Sequence, residues 1–298
     1  MTLVTHVLSV PLEPQDAAAA ARLRKRLDAM CAQDATLGVE TGPLEEIVLK
    51  GISETQLEWV VGHLQREPGL GFTVGAPEVQ YRESITRTTE WTYTHKQPDP
   101  ALYAVLRIQL TPLARGAGIE TEIRCPSDEI PPHIPLADLQ RAIDTGIHAG
   151  CKAGAVAGFP LTDLQAVILD AGWHETDSTP EAFEIAARLG LHEALPRARP
   201  CLLEPVMVVV ALTPEDFLGE VIGDFNKRRG QVQGLVTHGT ILAATAMVPF
   251  ANLPGYENDL RAMTQRRGAC TMAFDHYELV PPGRSSDDNF PMAAALRG

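Results

Sequence analysis

The sequence has no long hydrophobic run and no sign of an export signal. No stretch of about 18 consecutive apolar residues occurs among its 298 residues, so no transmembrane helix is expected. The first residues, Met1–His6, lack the basic segment followed by an apolar one that a secretory signal needs. We therefore expect a cytoplasmic protein with no membrane partner.

Cysteine is scarce, and its spacing does not match that of a metal site. The five cysteines are odd in number, widely spaced and free of any Cys-x-x-Cys pair: Cys31, Cys125, Cys151, Cys201 and Cys270. This pattern argues against a zinc site and for a reducing compartment. We predict that these cysteines serve as small apolar residues of the core.

The sequence motifs of several enzyme classes are missing as well. The chain holds no Gly-x-x-x-x-Gly-Lys-Ser/Thr phosphate loop, no strand followed by Gly-x-Gly-x-x-Gly, no His-Glu-x-x-His and no Gly-x-Ser-x-Gly. No pair of carboxylates and no nucleophile–base set stands out. We expect no catalytic residue, no metal site and no cofactor in this chain.

Positive charge is in deficit, but it is locally concentrated. The formal net charge is −13, which argues against nucleic-acid binding by the chain as a whole. Two basic clusters are exceptions, Lys227-Arg228-Arg229 and Arg266-Arg267, each at the end of a predicted helix. There they could offset the helix dipole, by about 0.3–1 kcal/mol each, or contact RNA.

The apolar periodicity predicts the same order of elements, β-α-β-β-α-β, in residues 1–76 and 201–281. This is the ferredoxin-like pattern. In the first segment a strand over Val4–Val10 ends at Pro11, and Ser53 caps a helix with Gln56 three residues later, as in a capping box. In the last segment helices are predicted over Pro214–Lys227 and Leu253–Gln265.

Residues 77–200 have a different pattern. Long strands are followed by a helix, a strand and a second helix, with these predicted bounds: strands Val79–Thr94, Leu102–Leu113 and Leu164–Leu169, helices Leu136–Ala153 and Pro180–Leu195. Asp177-Ser178-Thr179 is the expected cap of the last helix, with Pro180 in its first turn. The polar segment 282–298 is predicted to be a mobile tail.

Several long motifs of the chain resemble one family. They are Ser9–Pro14, Val48–Glu58, Val74–Ile85 (V-G-A-P-E-V-Q-Y-R-E-S-I), Phe159–Leu164, Asp170–Ser178 (D-A-G-W-H-E-T-D-S) and the two helix–Arg-Arg-Gly–strand patterns of Cys201–Pro281. Together they resemble the translation elongation factor G family, from its third domain to its C-terminus. One motif departs from the family pattern, since Ser53, Thr55 and Gln56 stand where Gly, Leu and His are usual.

The resemblance implies an α+β fold in which two ferredoxin-like βαββαβ domains flank a ribosomal-protein-S5-like α/β domain. The implied boundaries are 1–76, 77–200 and 201–281. It also implies a function in ribosomal translocation, with the ribosome, the tRNA–mRNA in its A site, ribosomal RNA and ribosomal proteins as partners of a monomer. GTP and magnesium would be needed by the full-length protein, a ribosome-dependent GTPase, whereas this chain alone would hydrolyse nothing.

The resemblance further implies two sets of RNA-contacting residues. The tip of the middle domain would enter the A site through two loops, Ala171–Ser178, which is led by His174, and Lys96–Leu102. Its expected contact residues are Lys96, Gln97, Asp99, Trp173, His174, Glu175 and Asp177. The basic clusters of the last domain would contact ribosomal RNA through Lys227, Arg228, Arg229, Arg266 and Arg267. Without the resemblance, His174 would read as an ordinary loop residue.

The first tip loop differs from the family pattern. Elongation factor G carries a glycine-rich segment there, whereas this chain has Pro98-Asp99-Pro100, which is stiffer. This form resembles the tetracycline ribosomal protection proteins, as does Ser178–Phe183. Three alternatives to a translocase therefore stay open: an elongation-factor paralogue, a free-standing ribosome-binding regulator without a GTPase, and a metabolic enzyme that reuses ferredoxin-like domains.

Overall fold

The computed structural model describes residues 5–42, 46–126 and 129–281. The predicted tail, 282–298, lies outside the described residues. Two compact units divide the chain. Unit 1 contains the residues up to Gln80 together with Glu204–Glu278, and unit 2 contains Tyr81–Leu203 with the residues directly after Glu278. No helix in the described part of the chain is long and apolar enough to cross a membrane.

The first half of unit 1 folds in the predicted order. Its elements are β1 (Leu8–Pro14), α1 (Ala17–Gln33), β2 (Gly38–Thr41), β3 (Ile47–Gly51), α2 (Glu54–Gln65), β4 (Phe72–Val74) and the short β5 (Glu78–Val79). The sheet has the strand order β2-β3-β1-β4, with antiparallel pairing. This is the ferredoxin-like arrangement, in which the strands that open and close the motif lie side by side.

The predicted helix cap at Ser53 is confirmed, and so is part of the capping box. The Ser53 side chain accepts a hydrogen bond from the backbone N–H of Gln56. The Gln56 side chain accepts from the N–H of Ile52 at 3.0 Å, one residue earlier than the usual partner. Leu57, Val60 and Leu64 are buried on the inner face of α2.

The first strand was predicted wrongly, because it runs through Pro11 to Pro14. Proline usually ends a central strand, since it has no N–H for the ladder. Here the Pro11 carbonyl accepts from Gly75 N–H at 2.8 Å, where β4 has just ended. A Cβ at Gly75 would lie 2.5 Å from Pro11 Cγ, so the glycine makes room for the ring.

Unit 2 is a four-stranded sheet covered by two helices. Its elements are β6 (Arg82–Ile85), β7 (Thr89–Pro98), β8 (Ala101–Pro112), β9 (Ile119–Ile123), α3 (Leu136–Gly150), β10 (Leu164–Gly172) and α4 (Pro180–Ala194). The strand order is β7-β8-β10-β9, and only the β10–β9 pair of this path is parallel. Strand β9 was not predicted. The two helices pack closely, since a Cβ at Gly146 would lie 2.2 Å from the carbonyl oxygen of Glu184.

The second half of unit 1 repeats the topology of the first. Its elements are β11 (Pro200–Pro214), α5 (Leu218–Lys227), β12 (Gln231–His238), β13 (Ile241–Pro249), α6 (Tyr256–Met263) and β14 (Ala269–Leu279). The strand order β12-β13-β11-β14 is again ferredoxin-like. Both helices start later than predicted: a 3-10 turn over Glu215–Phe217 precedes α5, and α6 begins after Gly255, whose φ is +73°.

Candidate nucleic-acid interface

The first predicted tip loop is the end of a β-hairpin. Strands β7 and β8 are joined by only Asp99 and Pro100, and Lys96 and Gln97 lie in β7, opposite Tyr103 and Leu102. The expectation of a loop over Lys96–Leu102 was therefore wrong, because the strands pair as far as Pro98 and Ala101 and leave only a two-residue turn, whose second residue is Pro100. The side chains of Lys96 and Asp99 are exposed, and Gln97 donates to the Asp99 carbonyl at 3.1 Å.

The second predicted tip loop connects β10 to α4, and hydrogen bonds hold it against the β7–β8 hairpin. The buried Ser178 hydroxyl donates to the Tyr103 carbonyl at 2.6 Å and accepts from His174 N–H at 2.8 Å. In return, Tyr103 N–H donates to the Asp177 carbonyl at 2.8 Å. The structure thus brings the two predicted segments together, with β8 as the bridge between them.

His174 projects from this loop with one ring nitrogen engaged. Nδ1 lies 3.4 Å from Asp177 Oδ2 and 3.2 Å from Thr176 Oγ1. The ring stands edge-on to Tyr103, with centroids 6.4 Å apart, while 57% of the side chain is exposed. Within the described residues Nε2 contacts no partner, so this is the atom that can reach a phosphate, a ribose or a base edge.

Trp173 and Glu175, the neighbours of His174, differ in their surroundings. Trp173 packs against the hydrophobic core of unit 2 and edge-on to His133, with ring centroids 5.6 Å apart. His133 Nε2 lies 2.9 Å from the Ser178 carbonyl. Trp173 therefore anchors the loop from inside, whereas the side chain of Glu175 is exposed.

Two of the five predicted basic residues of unit 1 are occupied by internal contacts. Arg229 makes a double hydrogen bond to Glu204, a carboxylate that is 3% exposed. Arg228 binds Asp224 at 2.7 Å, Asp259 at 2.5 Å and the Asn252 carbonyl at 2.8 Å. These two arginines fix the end of α5 to its surroundings, so they are not free to bind phosphate.

The other three basic residues, Lys227, Arg266 and Arg267, are exposed. The Arg267 guanidinium lies 4.7 Å from the centre of the Phe217 ring, just before α5 begins. Arg228, just after α5 ends, contacts Asp259 in α6, so the two helices run antiparallel. The two basic clusters therefore lie at opposite ends of the helix pair, which for a ten-residue helix means about 15 Å apart.

Sequence reasoning missed a buried carboxylate that shapes another loop of unit 2. Glu83 is fully buried, and its oxygens accept N–H bonds from Val156, Ala157 and Phe159 at 2.8, 2.8 and 3.1 Å. The Y-R-E motif around Glu83 was noticed, but its partners lie more than 70 residues further on. Tyr103 and His133 were also missed, because nothing local distinguishes them.

The described residues contain no group of His, Cys, Asp or Glu side chains that could hold a metal ion. Burial raises the pKa of the Cys125 and Cys270 thiols to about 11 and that of Cys151 to about 12. Such thiols stay protonated near neutral pH and are poor nucleophiles.

Comparison with protein families gives three consecutive matches. The models described as elongation factor G domain III, elongation factor G domain IV and elongation factor G C-terminus match residues 4–76, 77–199 and 201–287. Proteins named elongation factor G from Jannaschia sp. and Ruegeria pomeroyi are 38% and 37% identical over 291 residues. The chain spans 40% of the length of each, and 96% of the chain is covered.

A solved structure is similar as well. A crystal structure of a protein from Thermus thermophilus has a TM-score of 0.72 and 31% sequence identity. The similarity covers 95% of this chain and 42% of that protein. Sequence and fold therefore agree over nearly the whole chain.

Proposed function

Because the chain belongs to the elongation factor G family, we propose that it acts on the ribosome in translocation, as the tRNA- and RNA-contacting part of a translation GTPase. The proposal gives it domain boundaries at 76/77 and 200/201, a monomeric state and a cytoplasmic location, where ribosomes are found. The activity of the longer protein is also part of the proposal, because the chain spans 40% of the length of its relative from Jannaschia.

The observation that carries the proposal is the joined tip of unit 2. His174 offers a free Nε2 from a loop that Ser178 and Tyr103 hold against a hairpin. A short, fastened loop loses little conformational freedom when it binds, so contact with tRNA or mRNA is less opposed by entropy. Lys96, Gln97, Asp99, Glu175 and Asp177 are the proposed neighbours of His174 in this contact.

In unit 1, we propose that Lys227, Arg266 and Arg267 contact ribosomal RNA. Their positive charges have no carboxylate partner within the described residues, whereas those of Arg228 and Arg229 do. A phosphate contact by these residues would weaken as salt concentration rises. Arg228 and Arg229 are assigned a structural role at the end of α5.

GTP is proposed to act outside this chain. No phosphate loop occurs in the 298 residues, and no described cluster fits magnesium, so no step of nucleotide hydrolysis is assigned to any residue here. In the complete protein, the GTP-bound and GDP-bound states would favour different arrangements of this chain on the ribosome. Such coupling requires that the chain makes different contacts in the two nucleotide states.

A second candidate is a paralogue of elongation factor G, or a regulator of the ribosomal protection type. The observation that favours it is the tight turn at Asp99-Pro100, which closes the β7–β8 hairpin. A turn of two residues presents fewer backbone groups than a longer glycine-rich loop. Such a tip would suit displacement of a bound molecule or regulation as well as it suits translocation.

The test is a comparison of two rates with the protein encoded by the complete reading frame. Ribosomes are expected to stimulate its GTP hydrolysis, and His174→Ala is expected to slow single-round translocation more than hydrolysis. Lys152→Ala, at an exposed lysine of unit 2 outside the two tip segments, serves as the control. Equal loss of both rates would contradict the role of His174, and a protein that does not associate with ribosomes would refute the proposed function.

A further inference from the structure

Helix α2 carries a tryptophan that is mostly exposed. Trp59 is 66% exposed, and its ring stacks on that of His63 one turn further on, with centroids 5.5 Å apart and planes within 6° of parallel. Exposed tryptophan leaves a large apolar area in water, which is unfavourable in isolation. The stack with His63 holds the Trp59 ring in one orientation while most of its side chain remains exposed.

Helix α1 places a dense run of positive charge near this stack. Its basic residues occupy four of five consecutive positions: Arg22, Arg24, Lys25 and Arg26. Arg26 Nη2 lies 3.4 Å from His63 Nε2, and Arg22 Nε donates to the Gly69 carbonyl just beyond α2 at 2.9 Å. Arg22 and Arg26 therefore lie beside the C-terminal part of α2, next to His63, whereas Arg24 donates to Thr41 of β2. Lys25, the neighbour of Arg26 in the chain, is exposed.

Part of this positive charge is not neutralised. Arg24 pairs with Asp28, and Arg26 pairs with Glu67. Arg22 binds only a neutral carbonyl, and within the described residues neither Lys25 nor Arg66 makes an ion pair. Arg66 follows Trp59 by seven residues, two helical turns along the same face. A chain with a net charge of −13 thus keeps free cations on the same part of unit 1 as Trp59, the most exposed aromatic side chain among the described residues.

We propose that this surface, the Trp59–His63 stack with Arg22, Lys25 and Arg66, binds single-stranded RNA. An unpaired base would stack on Trp59, and the flanking phosphates would meet the free cations. Stacking platforms bordered by positive charge are the usual means of holding single strands without sequence preference. An apolar protein partner would have no use for the uncompensated cations, which is why RNA is favoured. The choice of RNA over DNA rests on the proposed ribosomal function.

The experiment measures binding of the 298-residue chain to a fluorescein-labelled, unstructured RNA of twelve nucleotides by fluorescence anisotropy. Trp59→Ala is expected to weaken binding about 5- to 150-fold, whereas Trp59→Phe keeps most of the affinity because a ring remains. Lys25→Glu is expected to weaken binding and to lower the salt slope by about 0.7 or more. Lys152→Glu, at an exposed lysine of unit 2, is the control and is expected to change nothing.

Two results would overturn the proposal. One is an affinity that Trp59→Ala and Lys25→Glu change by less than twofold, with thermal unfolding unaltered, which would mean that RNA binds elsewhere or that the stack faces a protein. The other is equal affinity for DNA of the same sequence. Both are separate from failure of the proposed function, which is measured on ribosomes through His174 in unit 2.

Discussion

The Arg229 guanidinium makes two hydrogen bonds to the buried Glu204 carboxylate, Nη1 to Oε2 at 3.2 Å and Nη2 to Oε1 at 2.6 Å. This pair joins the end of α5 to the middle of β11. The Arg-Arg-Gly triplets after α5 and α6 are identical in sequence, yet Arg229 is an internal counter-ion whereas Arg267, at the equivalent position, is exposed. A basic cluster in a sequence is therefore not by itself a binding surface.

Arg229→Ala is expected to destabilise the protein by about 3–5 kcal/mol at neutral pH, because it leaves the Glu204 carboxylate buried without a partner. Urea denaturation followed by circular dichroism measures the effect. Lys227→Ala, two residues away and exposed, is the matched control and should stay within about 0.5 kcal/mol of the parent. Equal effects of the two substitutions would show that the ion pair does not form.

Two helix glycines should respond to alanine in opposite directions. A Cβ at Gly223 in α5 would meet no heavy atom within 4 Å, so Gly223→Ala should stabilise the protein by about 0.5–1 kcal/mol through helix propensity. At Gly146 in α3 the same atom would lie 2.2 Å from the Glu184 carbonyl. Gly146→Ala should therefore destabilise it by about 1–3 kcal/mol. Thermal melts of both variants measure these effects. If both substitutions shift the melting temperature in the same direction, this account of the helix packing is wrong.

Local features of the fold could be predicted from the sequence. Each depends on residues within a few positions of one another, as the caps at Ser53 and Thr179 show: both side chains accept the expected N–H bond. The prolines around Asp99 were also visible, but their effect was misjudged. Rigidity was expected to produce a stiff loop, whereas the strands on both sides pair up to the turn.

Long-range partners could not be predicted in this way. Strand β9 pairs in parallel with β10, some 45 residues later, and its Ile-Glu-Thr-Glu-Ile pattern is too short to stand out alone. The partners of Glu83 and Arg229 lie about 70 and 25 residues away, and no spacing rule connects them. In the candidate site, the family motif predicted the exposed loop that carries His174. It did not predict the hydrogen bonds that hold this loop to Tyr103.

Stability should fall at high pH in part because of Cys151. Burial raises the pKa of its thiol to about 12, from an ordinary value of 9.0. Below pH 9 the thiol is protonated in both states and its full contribution is present. Between pH 9 and 12 the unfolded state loses the proton first, so stability decreases, by about 4 kcal/mol at most. Cys151→Ala removes this effect. The difference in the free energy of unfolding between the parent and the less stable variant should therefore become smaller as the pH rises from 9 to 12. A gap that stays constant from pH 8 to 12 would contradict it.

Ser178 is expected to control how firmly the tip loop is held. Its buried hydroxyl is the only described side chain that both accepts from His174 N–H and donates to the Tyr103 carbonyl. Ser178→Ala removes both bonds and leaves two backbone groups unpaired, at a cost of about 1–3 kcal/mol. Because the contacts of Trp173 with the core remain, the loss should be a local opening and not global unfolding.

Hydrogen exchange distinguishes these two outcomes. The His174 amide should exchange about 5- to 150-fold faster in Ser178→Ala, since each 1.4 kcal/mol corresponds to a factor of ten. Amides of β8 away from the tip should be unaffected. Glu175→Ala, in the same loop and with an exposed side chain, is the control and should leave His174 exchange unchanged. If all amides of unit 2 exchange faster together in Ser178→Ala, the hydroxyl stabilises the whole unit. In that case the loop does not open separately, and the prediction is wrong.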